Sequence, residues 1–150
     1  MTVELEHELQ ALATGYALGV DQRHRARFLG VFHPDAVLEV YASPAGGVEP
    51  SGVMRGHAEI GSVIDKISVY PKTFHFIGQS SYEVTARSTT GEVYCVAHHL
   101  RRVEEGWRDL VMFIRYEDVY HPGSDGSWRI AHRSVRVEWT EDHEAQDWSA

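Results

Sequence analysis

Hydrophobic residues in the first half of the chain mostly recur at helical spacing. Apolar positions three or four residues apart predict three helices with one apolar face each. The predicted helices run from Glu4 to Val20, from Arg25 to Phe32 and from His57 to Val69. The second must end by Phe32, because His33 precedes Pro34 and a residue before proline disfavours the helical region. Between the last two helices, the sequence predicts a strand from Ala36 to Tyr41.

The period changes from helical to alternating after a loop and the third helix. Proline and glycine recur from Ser43 to Gly56, which predicts that loop. Four later segments alternate as strands and are separated by turn residues at Thr89–Gly91, Glu104–Gly106 and Pro122–Gly126. The predicted strands run from Thr73 to Ala86, from Glu92 to Val103, from Trp107 to Tyr120 and from Ser127 to Trp139. Helices followed by an antiparallel meander indicate one α+β domain over residues 1–150, with helices covering one face of a curved sheet.

Composition narrows the classes of partner. The 150 residues are 43% hydrophobic and 24% charged, with a formal net charge of −8. An acidic protein repels phosphate backbones, so we expect no nucleic-acid partner. We also expect no membrane partner, because no apolar run approaches the roughly 20 residues of a spanning helix. Cys95 is the single cysteine, which fits a reducing cytoplasm. Acidic residues cluster from about 140 to 150, where we expect a solvated, partly ordered tail.

Asp21 and His75 are the first candidates for chemistry. Asp21 directly follows the first predicted helix, where the negative end of the helix dipole disfavours a carboxylate. Alternation puts His75 on one face of its strand and Phe74 and Phe76 on the other. Considered separately, Asp21 could be an ordinary polar residue at a helix end, and His75 could be an ordinary core histidine. Together they suggest a carboxylate that orients an imidazole as a general base.

Several short motifs, in this order along the chain, resemble the SnoaL-like, scytalone-dehydratase-like superfamily. They are Tyr16, Gly19-Val20-Asp21, Thr73-Phe74-His75, Arg115-Tyr116-Glu117-Asp118, Gly126 to Ile130, and Arg133. The resemblance covers about Leu5 to Trp139. It implies a cone in which three N-terminal helices close a curved sheet over an internal pocket. It also implies that Asp21 and His75 form the dyad of a cofactor-free lyase or isomerase, dehydratase- or cyclase-like, which acts on a hydrophobic, cyclic molecule.

The resemblance assigns further residues to the site. Tyr16 would be catalytic by hydrogen bonding a developing enolate, although plain core packing of that helix face is the alternative. Tyr41 would polarise a substrate carbonyl, and Tyr116 and Arg133 would bind substrate. A surface position is the alternative for Arg133.

His98 and His99 are adjacent on a predicted strand, so only one of them can face the pocket. His98 shares its face with Tyr94, Val96 and Leu100, the more apolar set, and we predict that this face is the inner one. His98 would then be a further catalytic residue. No grouping of His, Asp and Glu has convincing ligand spacing, so we predict neither a metal nor a cofactor.

Two sequence features bear on substrate and assembly. The dehydrochlorinase of this superfamily has a lysine where Tyr16 stands, which disfavours dechlorination. The segment from Leu110 to Ile114 is wholly apolar, which disfavours naphthol substrates.

Phe74 and Phe76 would form an apolar outer face, which predicts a homo-oligomer. The resemblance favours a trimer over a dimer. A non-catalytic binding or assembly domain of the same fold is the alternative function.

Overall fold

The computed structural model describes residues 1–43 and 47–149. Residues 44–46, which belong to the predicted loop from Ser43 to Gly56, and residue 150 lie outside the described part. The described residues form three helices and six strands in a mixed order. They are α1 (Val3–Asp21), α2 (Arg25–Gly30), β1 (Phe32–Tyr41), β2 (Gly52–Arg55), α3 (Gly56–Ile67), β3 (Lys72–Val84), β4 (Thr89–Val103), β5 (Gly106–Pro122) and β6 (Trp128–Ala145).

The strands form one six-stranded sheet with the order β2-β1-β6-β5-β4-β3. Strands β3 to β6 are the predicted antiparallel meander. Strand β1 pairs antiparallel with β2 but parallel with β6, so the sheet is mixed rather than antiparallel throughout. Because β2 and β3 are both edge strands, the sheet is open. The α+β fold with N-terminal helices is confirmed, and it is the cone fold predicted from the sequence.

The helices cover one face of the sheet, which we call the inner face. The core between them contains Leu9, Tyr16 and Val20 of α1 together with buried residues of β1, β4, β5 and β6. Gly19 allows α1 and α2 to approach, since a Cβ at this position would lie 2.7 Å from the Phe28 backbone. This close packing fixes the last turn of α1, where Asp21 lies.

The end of α1 is also tied to the start of β3. Arg23 follows the helix with a left-handed backbone (φ 54°). Its guanidinium donates to the carbonyl oxygens of Val20 and Tyr70, both at 2.7 Å, and to Thr73 Oγ1 at 2.8 Å. These bonds clamp the chain before β3 against the helix C-terminus and set the position of Asp21 relative to β3.

Several predicted boundaries are wrong. Helix α2 ends at Gly30, and β1 begins at Phe32 rather than at Ala36. The predicted loop contains the short strand β2, which pairs with β1. The predicted turn at Thr89–Gly91 is the start of β4, and the chain instead turns where the Thr85 hydroxyl lies 3.2 Å from the Ser88 carbonyl oxygen. Strand β6 continues through the predicted acidic tail to Ala145, because cross-strand ion pairs such as Arg108–Asp142 (2.7 Å) hold it on β5. Among the described residues, no helix is long and apolar enough to span a membrane.

Candidate active site

The structure brings Asp21 and His75 into contact on the inner face. His75 Nδ1 lies 2.7 Å from Asp21 Oδ1, and the His75 backbone N–H donates to Oδ2 at 2.8 Å. The Thr73 hydroxyl donates to Oδ1 at 2.9 Å. Three donors from two alternate residues of β3 therefore fix the carboxylate at the end of α1. This network explains why a carboxylate is tolerated at the negative end of a helix.

The charge state of Asp21 sets the tautomer of His75. Burial opposes ionisation of Asp21, but hydrogen bonds from the His75 side chain and backbone outweigh it, so the pKa of Asp21 lies below its ordinary value. An ionised carboxylate only accepts hydrogen bonds, so in the neutral His75 ring Nδ1 carries the proton and Nε2 is the acceptor. The side chain of His75 is only 6% exposed and that of Asp21 21%. The pair is thus an oriented imidazole with a free basic nitrogen in a largely dry setting.

Tyr16, Tyr116 and Arg133 lie on the same side of the sheet as the dyad. The Tyr16 ring is 6.4 Å from the His75 ring and 5.3 Å from the Tyr116 ring, between centroids. The Arg133 guanidinium stacks on both tyrosines, at 4.4 Å and 4.1 Å from their ring centroids. Burial raises the pKa of Tyr16 and of Tyr116, so both hydroxyls stay protonated at neutral pH and can donate.

Arg133 is a fully buried cation rather than a surface residue. Its Nε and Nη2 each donate to Asp118 at 2.7 Å, and the Tyr120 hydroxyl donates to the same carboxylate at 2.7 Å. Burial disfavours the charged guanidinium, but Asp118 outweighs it and raises the pKa of Arg133. The buried Arg133 Nη1 finds no acceptor within residues 1–43 and 47–149. Such a donor is rare in proteins and favours an oxygen of a water or ligand beside it.

The interior contains less open space than we expected. The resemblance implies an internal pocket, but beside the dyad Tyr16, Tyr116 and Arg133 pack directly on one another. A cleft of about 400 Å³ reaches Asp21 from the β3 edge of the sheet, and it is lined also by Thr73 and Phe74 but not by His75. Solvent therefore meets the carboxylate of the dyad more directly than its imidazole.

The prediction that His98 faces inward is wrong. The inner residues of this part of β4 are Cys95, Ala97 and His99, all buried, whereas His98 contacts Asp109 on the opposite face. Cys95 and Ala97 are small residues of the core, whereas the opposite face carries larger apolar side chains such as Tyr94 and Val96, so the more apolar face is the outer one. Residue size, rather than hydrophobicity alone, was the signal that could have identified the inner face.

His99 is the inner histidine that sequence reasoning missed. Its ring lies 5.8 Å from the His75 ring, and its Nδ1 is 3.0 Å from the Leu110 carbonyl oxygen. A carbonyl oxygen accepts, so Nδ1 carries the proton and Nε2 is an acceptor. Burial lowers the pKa of His99, which keeps the ring neutral near pH 7.

The predicted position of Tyr41 in the pocket is also wrong. Leu38 of β1 is buried on the inner face, so Tyr41, three positions along, points to the outer face. Its hydroxyl donates to Glu39 at 3.0 Å, and the Arg136 guanidinium lies 4.3 Å from its ring centroid. Tyr41 therefore belongs to a charged cluster on the outer face. No three His, Cys, Asp or Glu side chains in the described part of the chain group in a way that could hold a metal ion.

Comparisons with solved structures agree with this architecture. A protein of unknown function from Mycobacterium tuberculosis is 26% identical, with a TM-score of 0.69 over 87% of this chain and 70% of that one. The hexachlorocyclohexane dehydrochlorinase LinA-type3 from Novosphingobium barchaimii is 18% identical, with a TM-score of 0.76 over 97% of both chains. ActVI-ORFA from Streptomyces coelicolor is 17% identical, with a TM-score of 0.72 over 91% of this chain and 98% of that one.

Sequence comparisons give the family. The search of curated proteins finds no match to this chain. The family model described as a SnoaL-like domain matches residues 1–134. The chain therefore belongs to the SnoaL-like domain family.

Proposed function

We propose that the protein is a cofactor-free lyase or isomerase in which His75 is the general base and Asp21 orients it. The proposal rests on the 2.7 Å contact between Asp21 Oδ1 and His75 Nδ1. Two further donors, the Thr73 hydroxyl and the His75 backbone N–H, hold the same carboxylate. The substrate class we propose is a hydrophobic, cyclic molecule with a carbonyl group. The similarity of the fold to a protein named as a dehydrochlorinase supports an elimination or a related proton transfer.

The proposed reaction begins with proton abstraction. His75 Nε2 takes the proton beside the substrate carbonyl, and the resulting imidazolium is stabilised by the Asp21 carboxylate at Nδ1. The Tyr16 hydroxyl donates to the enolate oxygen that develops. Tyr116 and the free Nη1 of Arg133 would bind a second oxygen of the substrate. His99, rather than His98, would be the second inner histidine, and its Nε2 could accept a hydrogen bond from a substrate hydroxyl.

The first chemical step can be tested without knowledge of the product. Hydrophobic cyclic ketones such as 1-tetralone, incubated with the protein in D2O, should exchange their α-hydrogens for deuterium, which ¹H NMR measures directly. His75→Gln should abolish the exchange, because glutamine cannot take the proton. Exchange that is equally fast with wild-type protein and with His75→Gln would refute the dyad mechanism.

A non-catalytic small-molecule-binding or assembly domain is the second candidate. The packing of Tyr16, Tyr116 and Arg133 in the interior favours it, because a substrate would have to displace or rearrange buried side chains. A binding domain would show no exchange with any ketone of the panel while still binding some of them. In that case His75→Gln would change affinity alone.

We also propose that the protein is a cytoplasmic homo-oligomer. Phe74 and Phe76 are each 64% exposed on the outer face. A groove of about 410 Å³ beside Phe76 is lined by Phe113 and Trp139, and its rim contains Arg115 and Glu138. A face with apolar residues and charges of both signs can pack against a second copy of itself. The resemblance to the dehydratases favours a trimer over a dimer.

A further inference from the structure

We infer that the β3 edge of the sheet carries a second ligand site, a cleft that fits a small ring bearing a hydroxyl group on its outer side. This is the cleft of about 400 Å³ described above, and His98, Asp109, Phe74 and Leu100 line its outer side. Its binding group would be His98, not His75, so the inference does not depend on the proposed function.

The cleft contains an imidazole that is oriented in the same way as the inner one. His98 Nδ1 lies 2.6 Å from Asp109 Oδ2, and the backbone N–H of His99 donates to Asp109 Oδ1 at 3.1 Å. In both pairs, a backbone N–H of β3 or β4 donates to the carboxylate that accepts the hydrogen bond from the imidazole Nδ1. Because the carboxylate accepts at Nδ1, the Nε2 of the neutral His98 ring is the nitrogen that can accept a hydrogen bond from a ligand. The His98 side chain is 42% exposed, so a ligand can reach it.

The other walls of the cleft determine what kind of ligand it fits. Phe74 and Leu100 form an apolar surface on which a ring can pack. The Lys72 ammonium already pairs with Asp147 at 2.5 Å, so this carboxylate largely neutralises its charge. Asp21 and Asp109 leave the walls negative, which repels carboxylates and phosphates. A neutral phenol or cyclic alcohol satisfies all these features, with its hydroxyl donating to His98 Nε2 and its ring on Phe74.

Two matched probes test the inference. Binding of 4-fluorophenol and of 4-fluorotoluene, which lacks the hydroxyl, can be measured by ¹⁹F NMR titration of the full chain. The variants are His98→Gln, Asp109→Asn and, as a control, His132→Gln, which changes another outer-face histidine paired with a carboxylate (Glu39, 3.3 Å). Thermal unfolding of each variant establishes that it is folded.

We expect 4-fluorophenol to bind about tenfold more tightly than 4-fluorotoluene, which is the effect of one hydrogen bond. His98→Gln should remove that preference, Asp109→Asn should reduce it, and His132→Gln should leave it unchanged. Equal binding of the two probes to wild-type protein would overturn the inference. So would an unchanged preference in folded His98→Gln and Asp109→Asn. If the wild-type protein binds neither probe, the inference is overturned as well. This includes the case in which His98 is buried between copies of the chain.

Discussion

The two sheet faces each carry a histidine paired with an aspartate, and the pairs differ mainly in their surroundings. On the inner face, His75 is 6% exposed and its partner Asp21 accepts from three donors. On the outer face, His98 is 42% exposed and Asp109 accepts from two. The bond lengths to the imidazole, 2.7 Å and 2.6 Å, do not distinguish the pairs.

The difference shows that burial and neighbours, rather than the pair itself, decide what an oriented imidazole can do. In water a charge pair interacts weakly, whereas in a dry setting the same contact shifts proton affinities strongly. Only the inner pair has tyrosine donors and a buried cation nearby to stabilise a developing anion. We therefore propose catalysis at His75 and only ligand binding at His98.

The largest effect that we predict concerns the dyad. In the deuterium-exchange assay, His75→Gln should slow catalysed exchange by about 10²–10⁴-fold, the usual contribution of a general base. Asp21→Asn should also slow it steeply, because an amide can donate to Nδ1 and favour the wrong tautomer. His132→Gln is the matched control and should leave the rate within a factor of two. Wild-type rates in Asp21→Asn would mean that the carboxylate does not orient the base.

The next effect concerns the stability of the inner face. Asp118→Asn leaves the buried Arg133 without its counter-charge, which should lower the free energy of unfolding by about 3–5 kcal/mol. Glu138→Gln removes one partner of the exposed Arg115 on the outer face (2.8 Å) and should change stability very little. Urea denaturation of both variants measures the contrast. Similar losses in the two variants would show that Arg133 does not depend on Asp118.

Much of the fold was predictable because local patterns agree with it. Helical spacing and alternation predicted α1, α3 and the four-stranded meander to within a few residues, except for the end of β6, which lies six residues beyond the predicted Trp139. The parallel pairing of β1 with β6 was not predictable, since it joins segments about 95 residues apart and leaves no local signal. Strand β2 was hidden among glycines and prolines, whose turn preference outweighs a four-residue strand.

The candidate site was predictable only as far as the resemblance reached. It pointed to Asp21 and His75, whose roles stay a prediction, and placed Tyr16, Tyr116 and Arg133 on the correct face. The positions of His98 and Tyr41 depended on which strand face is inner, and hydrophobicity alone gave the wrong answer for β4. Arg133 pairs with Asp118 across the neighbouring strands β6 and β5. Predicting this ion pair requires the strand register, which the sequence alone does not give.

A smaller effect concerns the assembly of the outer face. If copies of the chain pack through this face, Phe76→Lys should shift wild-type oligomers toward monomer, because it places a charge in the apolar groove. Val69→Lys is the control, since Val69 is exposed in the connection between α3 and β3 and does not line the groove. Multi-angle light scattering measures the mass of each variant. A monomeric wild-type protein at high concentration, or an unchanged mass in Phe76→Lys, would contradict the proposed homo-oligomer.

The smallest effect is the pH dependence of stability that His99 should produce. Burial lowers the pKa of His99 in the folded protein below its ordinary 6.5. At a pH between the folded and the ordinary pKa, His99 is protonated in the unfolded chain but neutral in the folded protein. Stability should therefore fall as the pH decreases below about 6.5 and stop falling below the folded pKa. Asp21 acts in a lower pH window, because its stabilising contribution is complete above its ordinary pKa of 3.8 and is lost only as the pH falls through its lowered pKa.

Urea denaturation from pH 7.5 to 5 measures how the free energy of unfolding changes with pH. This slope should be shallower in His99→Gln than in wild-type protein, whatever the absolute stability of the variant. The exposed His121, changed to Gln, should leave the slope as it is, and an unaltered slope in His99→Gln would mean that His99 takes up its proton equally well in the folded protein.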